Sequence, residues 1–171
     1  MPVSPRILVI EDDPLYRTLY AKSIMQLCPA ARLELACDGQ QAHERLLAEP
    51  FDLVVMDLNL PLIDGVTLLA EFKRDPAHEH LVVLVISAFD ALGNAVRDEN
   101  HPNVFPFYKP LRAIDFKQVF EQCLVLCGCT PTANDFANDG RNETVDHGHI
   151  ALFVGQDPAL QRAVGEQFVV L

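Results

Sequence analysis

Three carboxylates, a hydroxyl and an amine each stand at the end of a short apolar run of this 171-residue chain. In chain order these residues are Glu11, Asp12, Asp57, Ser87 and Lys109. If folding brings them together, the carboxylates repel one another unless a cation binds between them or a proton is taken up. Mg²⁺ is a suitable cation, because it is a hard ion that takes oxygen ligands and keeps several waters. The residue types therefore predict a magnesium site.

The same residues are suited to phosphoryl transfer, which depends on positioning and on neutralisation of charge. The expected Mg²⁺ ligands are Asp12 and Asp57 directly, Glu11 through water, and the backbone carbonyl of Asn59. Asp57 can act as a carboxylate nucleophile that forms an acyl phosphate. Lys109 and the Ser87 hydroxyl would each contact another phosphoryl oxygen. The Lys109-Pro110 bond is a candidate for a cis peptide that aims the lysine inward, although cis is the minority state for such bonds.

The elements that must position these groups alternate along the chain. Strands are expected at Ile7–Ile10, Arg32–Cys37, Phe51–Met56, Leu81–Ile86 and Val104–Tyr108. The first helix is expected to be amphipathic through Leu15, Leu19, Ile24 and Leu27, and later helices are expected at Gln40–Ala48, Gly65–Arg74, Ala91–Glu99 and Ala113–Leu126. This alternation predicts βαβ units, and hence a parallel five-stranded α/β sheet with helices on both faces.

Right-handed crossovers and a single switch point favour the doubly wound, flavodoxin-like strand order 2-1-3-4-5. In this order, strands one, three, four and five are neighbours. Ligands of such sheets bind beyond the carboxyl ends of the strands. The predicted fold therefore brings the polar groups into one pocket.

Composition argues against several classes of protein. Lys and Arg number 13 against 24 Asp and Glu, which gives a net charge of −11 and argues against nucleic-acid binding by this segment. No run of 18 apolar residues is present, so no membrane span is expected. The N-terminal residues lack the apolar core of a signal peptide. We therefore expect a cytoplasmic location.

Four segments of the sequence resemble the receiver domains of two-component response regulators. They are IEDDP, VVMDLNLPLIDG, VISA and FYKP, which occur in order and at fitting intervals. The resemblance covers about residues 5–127, and we place the receiver domain at residues 1–127. Pro61 and Gly65 match the loop that follows the phosphoacceptor in this family.

The resemblance implies that Asp57 accepts a phosphoryl group from a sensor histidine kinase or a histidine phosphotransfer protein. Glu11 and Asp12 would be the acidic pair, Ser87 the switch hydroxyl and Lys109 the phosphate-sensing lysine. Such a domain switches conformation to control an output. It is a signalling module with at most slow self-dephosphorylation, and a homodimer is compatible with this interpretation.

One departure from the family concerns the switch. The family usually has Tyr or Phe three residues before the lysine, and here that position is Pro106, between Phe105 and Phe107. The Gly-Ala pair usual before this strand is replaced by His101-Pro102-Asn103. We therefore expect phosphoacceptance to be intact, and activation to use a rearrangement that involves Phe105 or Phe107.

The C-terminal stretch predicts a further module. Residues 128–149 are rich in Asn, Asp, Thr and Gly, which is typical of a flexible linker. Ala151–Gln161 then repeats the apolar pattern of Ile7–Arg17, with Asp-Pro in register. This predicts that residues 150–171 begin a second, degenerate receiver-like domain, in which Gly-Gln replaces the acidic pair. A chance strand and helix in a C-terminal extension is the alternative.

Three other interpretations remain open. A haloacid-dehalogenase-like phosphatase also places a nucleophilic Asp after a strand, but it needs a second Asp two residues later as general acid and base, where this chain has Asn59. A flavin-binding protein would need N–H donors for phosphate after strand one, where Glu11 and Asp12 would repel it. The chain is also compatible with the receiver part of a larger multidomain regulator.

Overall fold

The computed structural model describes residues 4–88 and 103–129, all within a compact unit that ends at Asp135. The strands are β1 (Arg6–Ile10), β2 (Arg32–Ala36), β3 (Leu53–Met56), β4 (Val82–Ser87) and β5 (Val104–Tyr108). The helices are α1 (Pro14–Leu27), α2 (Gly39–Ala48), α3 (Gly65–Arg74) and α4 (Ala113–Leu126), with a 3₁₀ turn at Pro76–His78. The predicted helix at Ala91–Glu99, nearly all of the linker and residues 150–171 lie outside the described residues.

The strands form one parallel sheet in the order β2-β1-β3-β4-β5. The predicted order 2-1-3-4-5 is therefore confirmed. In the central pairings, Met56 of β3 lies opposite Ile10 of β1 and opposite Val85 of β4. This register brings the residues that follow β1 and β3 to the same edge of the sheet.

Aspartate caps fix where the helices begin. The Asp13 carboxylate accepts a hydrogen bond from Leu15 N at 2.7 Å, with Pro14 as the first residue of α1. Asp38 and Asp64 cap α2 and α3 in the same way. A capping carboxylate satisfies N–H groups that have no partner inside the helix.

Two hydrophobic clusters cover the two faces of the sheet. Leu8 and Ile10 of β1 point to the face covered by α2 and α3, and Ile7 and Val9 point to the face covered by α1 and α4. Side chains alternate along a strand, so a strand buried on both faces must be apolar throughout. The prediction of helices on both faces is confirmed.

The predicted apolar face of α1 was wrong at two positions. Leu15 is 64% exposed and Leu19 is 48% exposed. The buried side chains are Tyr20 and Ile24, and Tyr16 is partly buried against the same cluster. Residues spaced by four form one stripe of a helix, and here that stripe begins with aromatic side chains that the sequence interpretation did not count.

Some element limits differ from those predicted by one or two residues. Strand β3 begins at Leu53, two residues later than predicted, and Ser87 is the last residue of β4 and does not follow it.

Among the described residues, every helix is too short or too polar to cross a membrane.

Candidate functional site

The predicted site residues meet at the carboxyl edge of the sheet. Glu11 directly follows β1, Asp57 follows β3, and Lys109 follows β5. Backbone hydrogen bonds extend the sheet pairing beyond the strand ends, from Asp57 N to Ile10 O at 3.0 Å and from Lys109 N to Ser87 O at 2.9 Å. The polar side chains are thus held by the same ladder that pairs the strands.

Asp57 is the centre of the hydrogen-bond network. Its Oδ2 lies 2.6 Å from Lys109 Nζ, and its Oδ1 accepts a hydrogen bond of 2.6 Å from Ser87 Oγ. The backbone N–H of Asn59 also donates to Oδ1, at 3.0 Å. Asp57 is 6% exposed and Ser87 is fully buried. Both carboxylate oxygens therefore have fixed donors.

Lys109 bridges two carboxylates. Its Nζ also donates to Glu11 Oε2 at 2.9 Å. Burial alone would lower the pKa of Lys109, but the hydrogen bonds to Asp57 and Glu11 outweigh burial and raise this pKa. The amine is therefore a permanent ammonium at neutral pH. The peptide bond between Lys109 and Pro110 is cis, as the sequence suggested.

Three carboxylates lie together at this edge of the sheet. Oxygens of Glu11, Asp12 and Asp57 all lie within 4.8 Å of one another. Glu11 is 1% exposed, and burial raises its pKa, which the hydrogen bond from Lys109 only partly offsets. Asp12 is exposed and faces solvent. An all-oxygen donor set with excess negative charge and one side open to water fits a hard divalent cation.

Arg17 holds the acidic loop in place, and sequence analysis did not single it out. Its Nη1 donates to the backbone carbonyls of Glu11 at 2.6 Å and of Asp12 at 3.1 Å. Arg17 lies in the first turn of α1, the helix that the same loop enters. Carbonyl acceptors leave no signal in a sequence, so only the fold reveals this contact.

The loop after Asp57 is packed tightly against α3. A Cβ atom on Gly65 would lie 2.6 Å from Asp57 O and 2.6 Å from Leu58 Cα. Gly65 N also donates to Leu58 O at 2.8 Å. A side chain at Gly65 would therefore push the backbone that carries Asp57. Asn59 lies in this loop with its side chain exposed, and its carbonyl as a metal ligand stays a prediction.

Tyr16 is a second residue that sequence analysis missed. Lys109 Nζ lies 4.7 Å from the centroid of the Tyr16 ring.

Pro106 lies in β5 opposite Val85, at the edge of the sheet, where a residue without an N–H is tolerated. Phe105 is buried and Phe107 is partly buried.

The sequence of this chain matches a known protein family. The model of the response regulator receiver domain matches residues 7–111. The transcriptional regulatory protein QseB of Haemophilus influenzae is 34% identical over 92 residues, which are 54% of this chain and 40% of that protein. The transcriptional regulatory protein ZraR of Escherichia coli is 27% identical over 161 residues, which are 94% of this chain and 33% of that protein. The chain thus spans less than half the length of these relatives.

Solved structures share the fold. The chemotaxis response regulator CheY4 of Vibrio cholerae superimposes with a TM-score of 0.62 at 15% identity, over 71% of this chain and 100% of that one. The receiver domain of the sensor histidine kinase PA1611 of Pseudomonas aeruginosa, which holds a magnesium ion in its active-site cleft, gives a TM-score of 0.59 at 20% identity, over 74% of this chain and 99% of that one.

Receiver domains are signalling modules that sensor histidine kinases phosphorylate, and phosphorylation and a Mg²⁺ site are characteristic of the family. The family model covers the four motifs whose side chains meet at the carboxyl edge of the sheet. This chain therefore belongs to the receiver domain family of two-component response regulators.

Proposed function

We propose that this receiver accepts a phosphoryl group on Asp57 from a histidine kinase or histidine phosphotransfer protein, and that Mg²⁺ is required. The observation that carries the proposal is the environment of the Asp57 carboxylate. It is buried, it is held by Lys109 and Ser87, and it shares a pocket with the Glu11 and Asp12 carboxylates. A buried nucleophile beside an ammonium and a hydroxyl matches the needs of phosphoryl transfer.

In the transfer, a carboxylate oxygen of Asp57 attacks the phosphorus of a phosphohistidine. The P–N bond of the donor breaks, the imidazole leaves with the bonding electron pair, and an acyl phosphate forms on Asp57. Lys109, now 2.6 Å from Asp57 Oδ2, is placed to neutralise an oxygen of the incoming group. The Ser87 hydroxyl now donates to Asp57 Oδ1, and it can donate to another oxygen of the phosphoryl group.

Glu11, Asp12 and Asp57 would hold Mg²⁺, and the ion would neutralise negative charge on the phosphoryl oxygens. Without a cation, a buried carboxylate takes up a proton more readily, as the raised pKa of Glu11 indicates. The donor chemistry of the pocket supports Mg²⁺ as the resident ion.

We propose that turnover is slow. Asn59 stands two residues after Asp57, where a phosphatase of the haloacid-dehalogenase type has its general acid and base. A carboxamide cannot take or give a proton in that role. The acyl phosphate should therefore persist long enough to act as a signal.

The test uses the two aspartates at the ends of one strand. Incubation with acetyl phosphate and Mg²⁺ should add one phosphoryl group, which intact-protein mass spectrometry detects. Asp57→Asn should abolish the mass shift, and EDTA should suppress it. Asp52→Asn, at the other end of β3, is the matched control and should label like the natural chain. Labelling of Asp57→Asn at the natural rate would refute the proposal.

We also propose that activation rearranges the region around β5, with Phe105 or Phe107 taking part, because position 106 carries no ring. Pro106 has a fixed φ and no aromatic side chain, and its neighbours Phe105 and Phe107 pack against the core. Structures with and without beryllofluoride would test this. An identical backbone and identical rotamers from Ala88 to Tyr108 in both states would contradict it.

We propose that the chain belongs to a longer regulator. The match with ZraR covers 94% of this chain and therefore continues past the receiver into residues 130–171. That residues 150–171 begin a second, degenerate receiver stays a prediction, with a chance strand and helix in a C-terminal extension as the alternative. Reading the gene after Leu171 tests both the longer regulator and the second receiver. An alternating β/α pattern there supports a duplicated receiver, and a stop codon contradicts it.

A further inference from the structure

The ammonium of Lys109 has an aromatic partner besides its two carboxylates. Nζ lies 4.7 Å from the centroid of the Tyr16 ring, within the distance over which a ring quadrupole attracts a cation. The Lys109 side chain is only 18% exposed, so water screens this attraction less than it does on an open surface. Tyr16 thus contributes to where the amine rests.

The Tyr16 ring is itself held in place by other rings. Its centroid lies 6.2 Å from that of Tyr20, which stacks on Phe116 at 5.4 Å, and Phe116 stacks on Phe120 at 5.6 Å. Tyr20 is 8% exposed and belongs to the core between α1 and α4. The ring that faces Lys109 is therefore supported from behind by the core.

The position of Tyr16 is also tied to the acidic loop. Helix α1 begins at the Asp13 cap, directly after Glu11 and Asp12, and the Asp13 side chain accepts hydrogen bonds from the N–H groups of Leu15 and Tyr16. Tyr16 therefore follows closely along the chain after Glu11, which accepts a hydrogen bond from the ammonium. A change in this loop would move the ring together with the carboxylates.

A lysine needs such a partner because its four-carbon stem is flexible. During phosphoryl transfer, Asp57 changes from a carboxylate to an acyl phosphate, so the strongest contact of the ammonium changes in charge and shape. The Tyr16 ring does not change. We propose that Tyr16 is a positioning residue that keeps the Lys109 amine directed at Asp57 throughout transfer, an inference that rests on the proposed function.

Two substitutions of Tyr16 separate positioning from packing. Tyr16→Leu keeps an apolar side chain and removes the ring, and it should slow labelling by acetyl phosphate at saturating Mg²⁺ about fivefold. Tyr16→Phe keeps the ring and should label within about twofold of the natural chain. Phe51→Leu removes a buried ring of the cluster on the other face of the sheet, away from the rings that support Tyr16, so it should lower thermal stability and leave the labelling rate unchanged.

A nuclear magnetic resonance readout tests the contact independently of labelling. Protons of the Lys109 ε-methylene group should be shifted upfield by the Tyr16 ring current in the natural chain and in Tyr16→Phe, and should return to ordinary values in Tyr16→Leu. An ordinary shift in the natural chain, or natural labelling by Tyr16→Leu, would overturn the inference. So would Phe51→Leu slowing labelling as much as Tyr16→Leu does. If the ring-current shift is present but neither the natural chain nor any variant is labelled by acetyl phosphate, the proposed function has failed. The positioning role of Tyr16 then fails with it.

Discussion

Strand β3 has an aspartate at each end, and the two differ in burial and in the charged groups that contact them. Asp52, before the strand, is partly exposed and accepts a hydrogen bond of 2.7 Å from the backbone N–H of Arg6. Asp57, after the strand, is 6% exposed and is bound by Lys109, Ser87 and the N–H of Asn59. The same residue type therefore serves sheet pairing at one edge and chemistry at the other.

The charges around the two aspartates differ as well. Near Asp52, Glu34 pairs with Arg6 at 3.1 Å and with Arg45 at 2.6 Å, and Arg6 also pairs with Glu49. These side chains are between 25% and 54% exposed. Exposed ion pairs of this kind contribute little to stability. The amino edge therefore has a nearly balanced, solvated network.

At the carboxyl edge, three carboxylates lie together, one ammonium bridges two of them, and Glu11 is almost completely buried. Excess buried charge costs stability unless a cation or a proton compensates for it. Imbalance of this kind is a feature of functional sites. Burial and unequal charge, more than the number of ion pairs, therefore distinguish the site from the scaffold.

The largest effect is expected for Lys109→Met. This change leaves Glu11 and Asp57 without their ammonium, so the free energy of unfolding at neutral pH without Mg²⁺ should fall by about 3 kcal/mol. Added Mg²⁺ should restore part of this loss, because it replaces the missing positive charge. Urea denaturation measures both values. If the free energy of unfolding falls by less than about 1 kcal/mol, the contacts of Lys109 with Glu11 and Asp57 are no stronger than ordinary surface ion pairs.

Gly65→Ala should have the next largest effect. The added Cβ meets the backbone of Asp57 and Leu58 at 2.6 Å, so the loop must shift, at a cost of about 2 kcal/mol. Labelling of Asp57 should also slow. The control is Gly128→Ala: Gly128 has a φ of 70° and no neighbour within 4 Å of a Cβ. That variant should lose about 1 kcal/mol from backbone strain and label normally. Equal labelling by both variants would show that the tight packing at Gly65 does not position Asp57.

The third effect is a pH dependence of Mg²⁺ binding. Burial raises the pKa of Glu11 above its ordinary value of 4.5, so the Mg²⁺-free fold gains stability as the pH falls through the raised value and loses it as the pH rises. Bound Mg²⁺ requires the ionised form. Its affinity should therefore weaken below the raised pKa, by up to about tenfold per pH unit.

Calorimetric titration with Mg²⁺ at a series of pH values checks this. Glu11→Gln should bind Mg²⁺ more weakly, with a flatter pH dependence, because it has no proton to release. Glu34→Gln, in the middle of β2 and paired with Arg6 and Arg45, should retain the profile of the natural chain. A steep profile that survives in Glu11→Gln would assign the pH dependence to another group.

The smallest effect is expected at the amino edge. Arg45→Met removes a pair with Glu34 that is open to solvent, so the free energy of unfolding should change by no more than about 0.5 kcal/mol. Labelling by acetyl phosphate should not change. A loss as large as that of Lys109→Met would remove the distinction between the two edges.

Much of the fold could be predicted from local pattern. Apolar runs of strand length, such as those ending at Ile10 and Met56, are required wherever a parallel strand is buried on both faces. Aspartates before the helices identify where α1 and α3 begin. Because parallel strands present their carboxyl ends to one edge, the positions of Asp57 and Lys109 in the chain were enough to predict that they meet.

The rotation of α1 could not be predicted with the same success. Leu15 and Leu19 suit a buried stripe as well as Tyr16 and Tyr20 do, and apolar periodicity alone did not choose between them. Packing against α4 made the choice, because Tyr20 stacks on Phe116. A helix turned by one residue keeps its pattern but presents a different set of side chains.

The sequence by itself determined the parallel α/β class and the side chains that follow the strands, because both depend on local patterns and on the rules of parallel sheets. Tertiary structure alone decided that Arg17 holds the carbonyls of the acidic loop, that Gly65 must lack a side chain, and that Tyr16 faces Lys109. These contacts join a side chain to a backbone atom or a ring to a charge across separate elements. Their distances are set only when the helices pack onto the sheet, because packing fixes the rotation of each helix and the closeness of each loop.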